Sequence, residues 1–246
     1  MAKILGGIRL GVQSWCYRDF KGTDNLIRLL HDSELDTIEL CGTHYDFNDR
    51  AGWTKVIEEL EAASILINGC GINGMQNNEE SLRNQFEFAR RAGISAIGAD
   101  LDPDAIDLVE KLCEEYGVKV AIHNHGHWHR YGSRAQLREL FGKTSSNIGL
   151  CLDTGWALDS KENPLDYIDE FADRLFGVHL KDFNFDAEGQ PLETVLGTGE
   201  LDLPAIIAKL KEIHFAGYAS LEYEGDASDP APKLRACVEN LRKIGA

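Results

Sequence analysis

The sequence predicts a single-domain α/β fold in which eight parallel strands and their helices close into a (β/α)8 barrel over residues 1–246. Three observations support it. The 246 residues with 43% hydrophobic content are enough for one large core. Short β-rich runs alternate eight times with amphipathic stretches, the pattern of a closed parallel sheet. No Gly-x-Gly-x-x-Gly follows the first strand, which disfavours the alternative of a doubly wound open sheet.

The strands are predicted from runs of apolar and β-branched residues. In order they are Arg9–Gln13, Thr37–Leu40, Leu66–Cys70, Ala96–Asp100, Lys119–His123, Ile148–Asp153, Phe176–Lys181 and Tyr218–Glu222.

Helices are predicted between these strands because apolar residues there recur at helical spacing. The clearest sets are Leu26, Leu29 and Leu30; Val56, Ile57 and Leu60; Phe86, Phe88 and Ala89; Ile106, Val109 and Leu112; and Ile206, Ile207 and Leu210.

The net charge and the cysteine pattern disfavour several classes of binding partner. The formal net charge of -16 disfavours a nucleic-acid groove, since phosphate binding relies on clustered Lys and Arg. The six cysteines occur singly, without Cys-x-x-Cys, which indicates free thiols in a reducing compartment. No apolar run near the N-terminus is long enough for a signal peptide or a membrane span. We therefore expect a cytoplasmic protein that binds no membrane, and the sequence leaves open whether it forms a homo-oligomer.

Four of the eight histidines fall within seven residues behind the fifth predicted strand, at positions 123, 125, 127 and 129. On a strand, residues two apart share a side, so His123 and His125 point the same way. No Cys or His pair follows to complete a structural zinc site. Any further ligands must therefore come from distant strands, as in an active-site metal centre.

Ionisable residues also end other predicted strands, where a barrel places its chemistry. On the sixth to eighth strands small residues precede them on the same face, and the ends are Asp153, His179 with Lys181, and Glu222. Buried charges at one depth are costly unless paired or metal-bound. With His123 or His125 they form a mixed nitrogen and oxygen shell suited to Mn²⁺, Co²⁺, Zn²⁺ or Fe²⁺.

Several short motifs carry a resemblance that spans nearly the whole chain. Ile-Glu-Leu at 38–40, Leu-Asp-Thr-Gly at 152–155, Val-His-Leu-Lys-Asp at 178–182 and Leu-Glu-Tyr-Glu at 221–224 resemble the xylose isomerase-like TIM barrels, the sugar phosphate isomerase/epimerase superfamily. Gly-Val-Gln-Ser-Trp at 11–15 is similar too. The resemblance implies one divalent metal held from the fifth to eighth strands, with Asp153, His179 and Glu222 at three ligand positions.

The fifth-strand ligand departs from one branch of that family. Ketose 3-epimerases place a glutamate, both ligand and acid/base, where this chain has His123. His-Asn-His strand ends are more typical of the inosose dehydratase-like and keto-sugar lyase-like branches. We assign His125 as the fourth ligand and His123 as a catalytic group, while the sequence leaves their exchange open.

The resemblance implies a metal-dependent sugar isomerase or epimerase that abstracts a proton next to a metal-bound carbonyl of a keto-sugar or polyol. Its alternatives are a dehydratase or lyase and a non-catalytic sugar-binding barrel. Glu39, Lys181 and His123 are the candidate acid/base groups. Candidate substrate-binding residues are Trp15, His44, His127 and Trp156, the last standing where many relatives have His.

Overall fold

The computed structural model describes residues 7–245, and the remainder of the predicted 1–246 domain lies outside that range. Eight parallel strands close into a barrel, which confirms the predicted fold. The barrel strands are β1 (Leu10–Gln13), β2 (Thr37–Leu40), β3 (Leu66–Met75), β4 (Ala96–Leu101), β5 (Lys119–His123), β6 (Ile148–Asp153), β7 (Leu175–Leu180) and β10 (Tyr218–Leu221). Their order around the barrel is β1-β10-β7-β6-β5-β4-β3-β2.

Helices connect successive strands and cover the barrel. They are α1 (Thr23–Asp32), α2 (Arg50–Ala62), α3 (Glu79–Arg91), α4 (Ile106–Tyr116), α5 (Arg134–Phe141), α6 (Thr154–Asp159), α7 (Pro164–Phe171), α8 (Leu203–Glu212) and α9 (Ala231–Gly245). Polar N-caps begin many of them, for example Ser133, which forms a capping box with Gln136. Within residues 7–245, no helix combines the length and apolarity needed to cross a bilayer.

The predicted strand ends agree with the structure to within one residue, except in β3. That strand continues to Met75 because its pairing with β4 shifts register between Cys70 and Asn73 and then resumes. The sequence analysis also missed an antiparallel hairpin between β7 and α8, formed by β8 (Asp182–Phe185) and β9 (Pro191–Thr194). Its carboxylates contact the loops above the barrel, as described below.

Two layers fill the barrel interior. The lower layer packs small and aromatic side chains, namely Ala96, Ala121, Cys151, Phe176 and Tyr218. Tyr218 occupies space left by glycine: a Cβ on Gly177 would lie 2.3 Å from Tyr218 Cζ. Two residues further along the strands, Asp153 and His179 stand side by side in register. They belong to the upper layer, defined as His123, Asp153, His179 and Glu222.

Candidate metal centre and cavity

The upper layer brings four side chains from four neighbouring strand ends to one point. His123, Asp153, His179 and Glu222 each offer a ligand atom, and these atoms lie within 4.8 Å of one another. His179 Nδ1 is 2.6 Å from Glu222 Oε2 and 4.0 Å from Asp153 Oδ2. His123 Nε2 is 3.4 Å from Asp153 Oδ2. The arrangement has the mixed donors that a divalent transition metal takes.

Several buried atoms of this layer form no hydrogen bond of good geometry. They are Asp153 Oδ2, His179 Nδ1, Glu222 Oε2 and both ring nitrogens of His123, even though His179 Nδ1 lies 2.6 Å from Glu222 Oε2. Buried polar atoms are normally satisfied, because leaving one unpaired costs about 1–3 kcal/mol. Four such side chains facing one point therefore fit a bound cation, which would pair them all.

The local sequence motifs explain how the ligands are held. Asp153 Oδ1 accepts a hydrogen bond from Trp156 N and so caps α6, which leaves Oδ2 free. Asn124 holds the backbone of Asp153 through two hydrogen bonds of 2.7 and 2.9 Å. Thr154 braces the end of β7 through the carbonyl of His179 and the backbone of Lys181. The sequence analysis did not assign these bracing roles, although both residues lie inside its motifs.

Burial determines the charge state of His123, at the end of β5, and of His125, two residues later. It lowers the pKa of His123 to about 3, with a further contribution from His179. It lowers the pKa of His125 to about 4, with a further contribution from His123. Both imidazoles are therefore neutral at pH 7, the form that binds metal or accepts a proton.

The carboxylates respond to burial in opposite ways. Burial raises the pKa of Asp153 to about 6, although Lys181 opposes this. Burial also raises the pKa of Glu222, but Lys181 and His179 outweigh it and hold that pKa well below its usual value. Burial lowers the pKa of Lys181, but Glu222, Asp153 and Glu224 hold it well above the usual range. Lys181 is thus a cation and has no lone pair with which to accept a proton.

The structure places the predicted fourth ligand and the predicted acid/base groups differently from the sequence-based assignment. His123, rather than His125, joins Asp153, His179 and Glu222. The His125 ring lies 5.1 Å from the His123 ring and lines the neighbouring cavity. The period of a strand could not separate the two, because β5 ends at His123 and the chain turns at Gly126.

Glu39 lies beneath the cluster rather than on the cavity wall. It is fully buried, and its Oε2 accepts hydrogen bonds from His179 Nε2 at 2.9 Å and Ser220 Oγ at 2.7 Å. A carboxylate on the outer nitrogen of a ligating histidine orients the ring and raises its basicity. This contact places Glu39 to orient His179, and direct proton transfer by Glu39 stays a prediction from the sequence.

A cavity of about 460 Å³ opens beside the cluster. Its lining comes mainly from the ends of β1, β2, β3, β5 and β10: Gln13, Trp15, Cys41, Gly42, Thr43, Gly71, Ile72, His123, His125, Glu222 and Glu224. Neither lysine nor arginine is among these residues, whereas two carboxylates are. The side chain of Gln13 is occupied by the backbone of Trp15 and Gly71.

Of the predicted substrate-binding residues, Trp15 lines the cavity, whereas His44 and Trp156 are not among its lining residues. Trp15 lines the cavity, is 39% exposed, and donates from Nε1 to Glu224 Oε2 at 2.8 Å. His44 does not line it; it contacts Ser14 and Thr43 and hydrogen-bonds to Phe20 O, so it braces the loops after β1 and β2. Trp156 packs 5.1 Å from the His125 ring and lies over Lys181 Nζ at 5.3 Å.

The hairpin supplies two carboxylates that were not among the predicted site residues. Asp182 accepts backbone hydrogen bonds from Gly197, Gly199 and Leu201. Glu193 accepts from the backbone of Glu224, which in turn pairs with Lys181. The hairpin therefore holds the loops around the Lys181 side of the site.

Comparison with known proteins gives concordant family and fold assignments. The model of the family described as xylose isomerase-like TIM barrel matches residues 24–244. An inosose dehydratase of Geobacillus kaustophilus is 30% identical over 148 residues, which cover 52% of this chain and 46% of the relative. The chain thus spans about half the length of that curated relative.

Two solved structures share the fold. The IOLI protein with a bound zinc atom has a TM-score of 0.75 at 17% identity, covering 96% of this chain and 97% of the other. A D-tagatose 3-epimerase-like protein has a TM-score of 0.74 at 19% identity, with the same coverage of each chain.

Proposed function

This chain belongs to the xylose isomerase-like TIM barrel family, and we propose that it is a divalent-metal-dependent enzyme that removes a proton next to the carbonyl of a keto-sugar or keto-polyol. The observation that carries the proposal is the set of unpaired, buried ligand atoms of His123, Asp153, His179 and Glu222 beside an open cavity. When bound there, a divalent cation supplies Lewis acidity that lowers the pKa of the adjacent C–H bond.

His125 is the residue that we propose as the proton acceptor. It lines the cavity, its ring adjoins that of His123, and hydrogen bonds to Asn124 hold the chain at this turn against β6. Of the three groups first considered for this role, Glu39 is bound to His179, Lys181 is paired with Glu222 and Glu224, and His123 lies in the ligand cluster. A positioned base contributes about 10²–10⁴-fold to such a reaction.

The cavity supports an uncharged substrate. Glu222 and Glu224 face it, no lysine or arginine is among the described lining residues, and the neighbouring cation Lys181 is already paired with both carboxylates, so a phosphate group would meet two carboxylates whose cation is engaged. Hydroxyl groups of a polyol, by contrast, carry no charge that these carboxylates repel. This favours a free keto-sugar or keto-inositol over a sugar phosphate.

Dehydration is the outcome that we favour once the proton has left. His125 takes the C–H proton; the imidazolium then donates it to the neighbouring β-hydroxyl, which departs as water. One base on one face suffices for this elimination. The relative named inosose dehydratase supports the same class.

Isomerisation is the second candidate, because the same imidazolium can return its proton to the adjacent carbon. Epimerisation needs a proton donor on the opposite face, and His123 stands where a glutamate would supply it in the ketose 3-epimerases. The family resemblance still supports testing all three outcomes.

Incubation in heavy water tests the proposal. Protein loaded separately with zinc, manganese or cobalt is incubated with keto-inositols and ketohexoses, and deuterium incorporation and loss of water are followed by NMR and mass spectrometry. We expect exchange in wild type and about 10²–10⁴-fold slower exchange in His125→Gln at unchanged metal content. His31→Gln is the matched control, because it makes the same substitution at an exposed histidine of α1 that does not line the cavity.

Sugar binding without any exchange would instead identify a non-catalytic sugar-binding barrel. If deuterium exchange persists in His125→Gln at the wild-type rate, another cavity residue is the proton acceptor.

A further inference from the structure

An exposed indole stands beside the cavity on the turn that follows β5. Trp128 is 63% exposed, and its ring lies 5.3 Å from the ring of His125, which lines the cavity. Trp156 is 6.5 Å away and also contacts His125. A large aromatic side chain in water beside a ligand cavity indicates a contact surface rather than core packing.

His127, on the same turn, is held by a buried carboxylate. Asp159 is only 5% exposed, and its Oδ2 accepts from His127 Nδ1 at 2.7 Å and from His127 N at 3.2 Å. Because Nδ1 donates, Nε2 is left as a hydrogen-bond acceptor. The His127 side chain is 66% exposed, so its orientation is fixed while its acceptor atom stays available.

Gly126 brings these groups together. It has a φ of 77°, a conformation that favours glycine. A Cβ at this position would lie 2.8 Å from Asp159 Oδ2, 2.9 Å from Trp156 Cε3 and 3.3 Å from Trp128 Nε1. The missing side chain therefore lets the carboxylate that holds His127 and the two indoles converge on one turn.

We propose that Trp128 and His127, with Asp159 as the positioning residue, form an outer subsite for a second sugar ring. A pyranose presents a face of C–H groups, which fits an exposed indole, and a rim of hydroxyls, one of which can donate to His127 Nε2. The subsite is continuous with the cavity through His125. The substrate is then a keto-glycoside whose keto ring lies in the cavity and whose second ring rests on Trp128, an inference that rests on the proposed function.

The position of the turn on the barrel agrees with this extension. The other exposed tryptophan, Trp15, follows β1, which lies across the barrel from β5. The metal cluster lies between them, so a ligand longer than one ring that fills the cavity would extend past His125 towards Trp128.

Paired ligands that share one head group test the subsite. Titration calorimetry on zinc-loaded protein compares 3-keto-glucose with 3-keto-cellobiose, which adds a second glucose ring. We expect the second ring to improve affinity about tenfold in wild type. Trp128→Ala and His127→Ala should each lose most of that gain with 3-keto-glucose binding unchanged, and Trp128→Phe should keep part of it.

Leu66→Ala is the matched control, since Leu66 is 42% exposed but lies at the start of β3, on the opposite end of the barrel. An equal affinity for both ligands in wild type, or a gain that survives Trp128→Ala and His127→Ala, overturns the subsite while the proposed function stands. If neither ligand binds, the proposed function fails for this substrate class and the subsite fails with it.

Discussion

The two layers of the barrel interior come largely from the same strands, as with Cys151 and Asp153 two residues apart on β6, yet their side chains differ in chemistry. In the lower layer Cys151 and Tyr218 pack against small and apolar neighbours. In the upper layer Asp153 and His179 present buried polar atoms that have no partner. Both layers are largely buried, with the Glu222 side chain 9% exposed and Phe176 8% exposed, so burial alone does not decide whether a layer is structural.

The layers differ in how many of their buried polar atoms lack a hydrogen-bond partner. The lower layer is stabilised mainly by burying apolar surface, and it leaves one buried polar atom, the Tyr218 hydroxyl, without a hydrogen-bond partner. The upper layer places several such atoms around one point, a desolvation cost that a bound cation or protons can offset. The candidate ligand site is therefore the layer in which several unpaired polar atoms converge.

The largest expected effect is on removing an upper-layer ligand. Asp153→Ala or His179→Ala should abolish stoichiometric metal binding while the fold persists, as measured by metal analysis together with circular dichroism. Asp153→Asn separates two roles, because an amide can still cap α6 through Oδ1 but lacks the carboxylate charge. Full metal occupancy in both alanine variants would place the metal elsewhere.

A smaller effect is expected at the boundary between the layers. Glu39→Gln should weaken metal affinity by about 10–100-fold, because an amide is a poorer acceptor for His179 Nε2 than a carboxylate. Competition with a chelator measures this. An acid/base role for Glu39 would instead leave the metal affinity unchanged, so an unchanged affinity in this variant would contradict the positioning role.

Acidity should weaken metal binding through the same layer. Below its pKa of about 6, metal-free Asp153 holds a proton that the metal must displace. Affinity should therefore fall more steeply with decreasing pH below about 6, by roughly one further factor of ten per pH unit. A constant slope between pH 5 and 7 in wild type would contradict this prediction.

The smallest effect on metal affinity is expected from the lower layer. Gly177→Ala places a methyl group against Tyr218 and should cost about 1–3 kcal/mol of unfolding free energy. Metal affinity should stay near wild type. Gly74→Ala, where a Cβ would meet nothing within 4 Å, is the control. A large loss of metal affinity in Gly177→Ala would show that the layers are not independent.

The sequence predicted most of the architecture because strand and helix periodicity are local properties. Alternation along β6 and β7 also placed Asp153 and His179 on the inner face, where the structure has them. The hairpin of β8 and β9 was missed because each strand has only four residues, too few for the alternation of Phe183 and Phe185 to stand out from a loop.

Two assignments needed the tertiary structure. His123 and His125 share a side by strand period, and only the end of β5 and the turn at Gly126 decide which one faces Asp153. Glu39 lies near the end of the second strand, where a barrel often carries catalytic residues. In the folded protein it lies beneath His179, which is 140 residues later in the chain, and hydrogen-bonds to it.

By itself the sequence determined the eightfold alternation, the family motifs and the presence of ionisable groups at the ends of the strands. Only the tertiary structure decided which of those groups pair with each other and which are left for a ligand. The physical reason is that periodicity fixes the face on which a side chain lies, whereas pairing depends on distances across strands that are far apart in sequence.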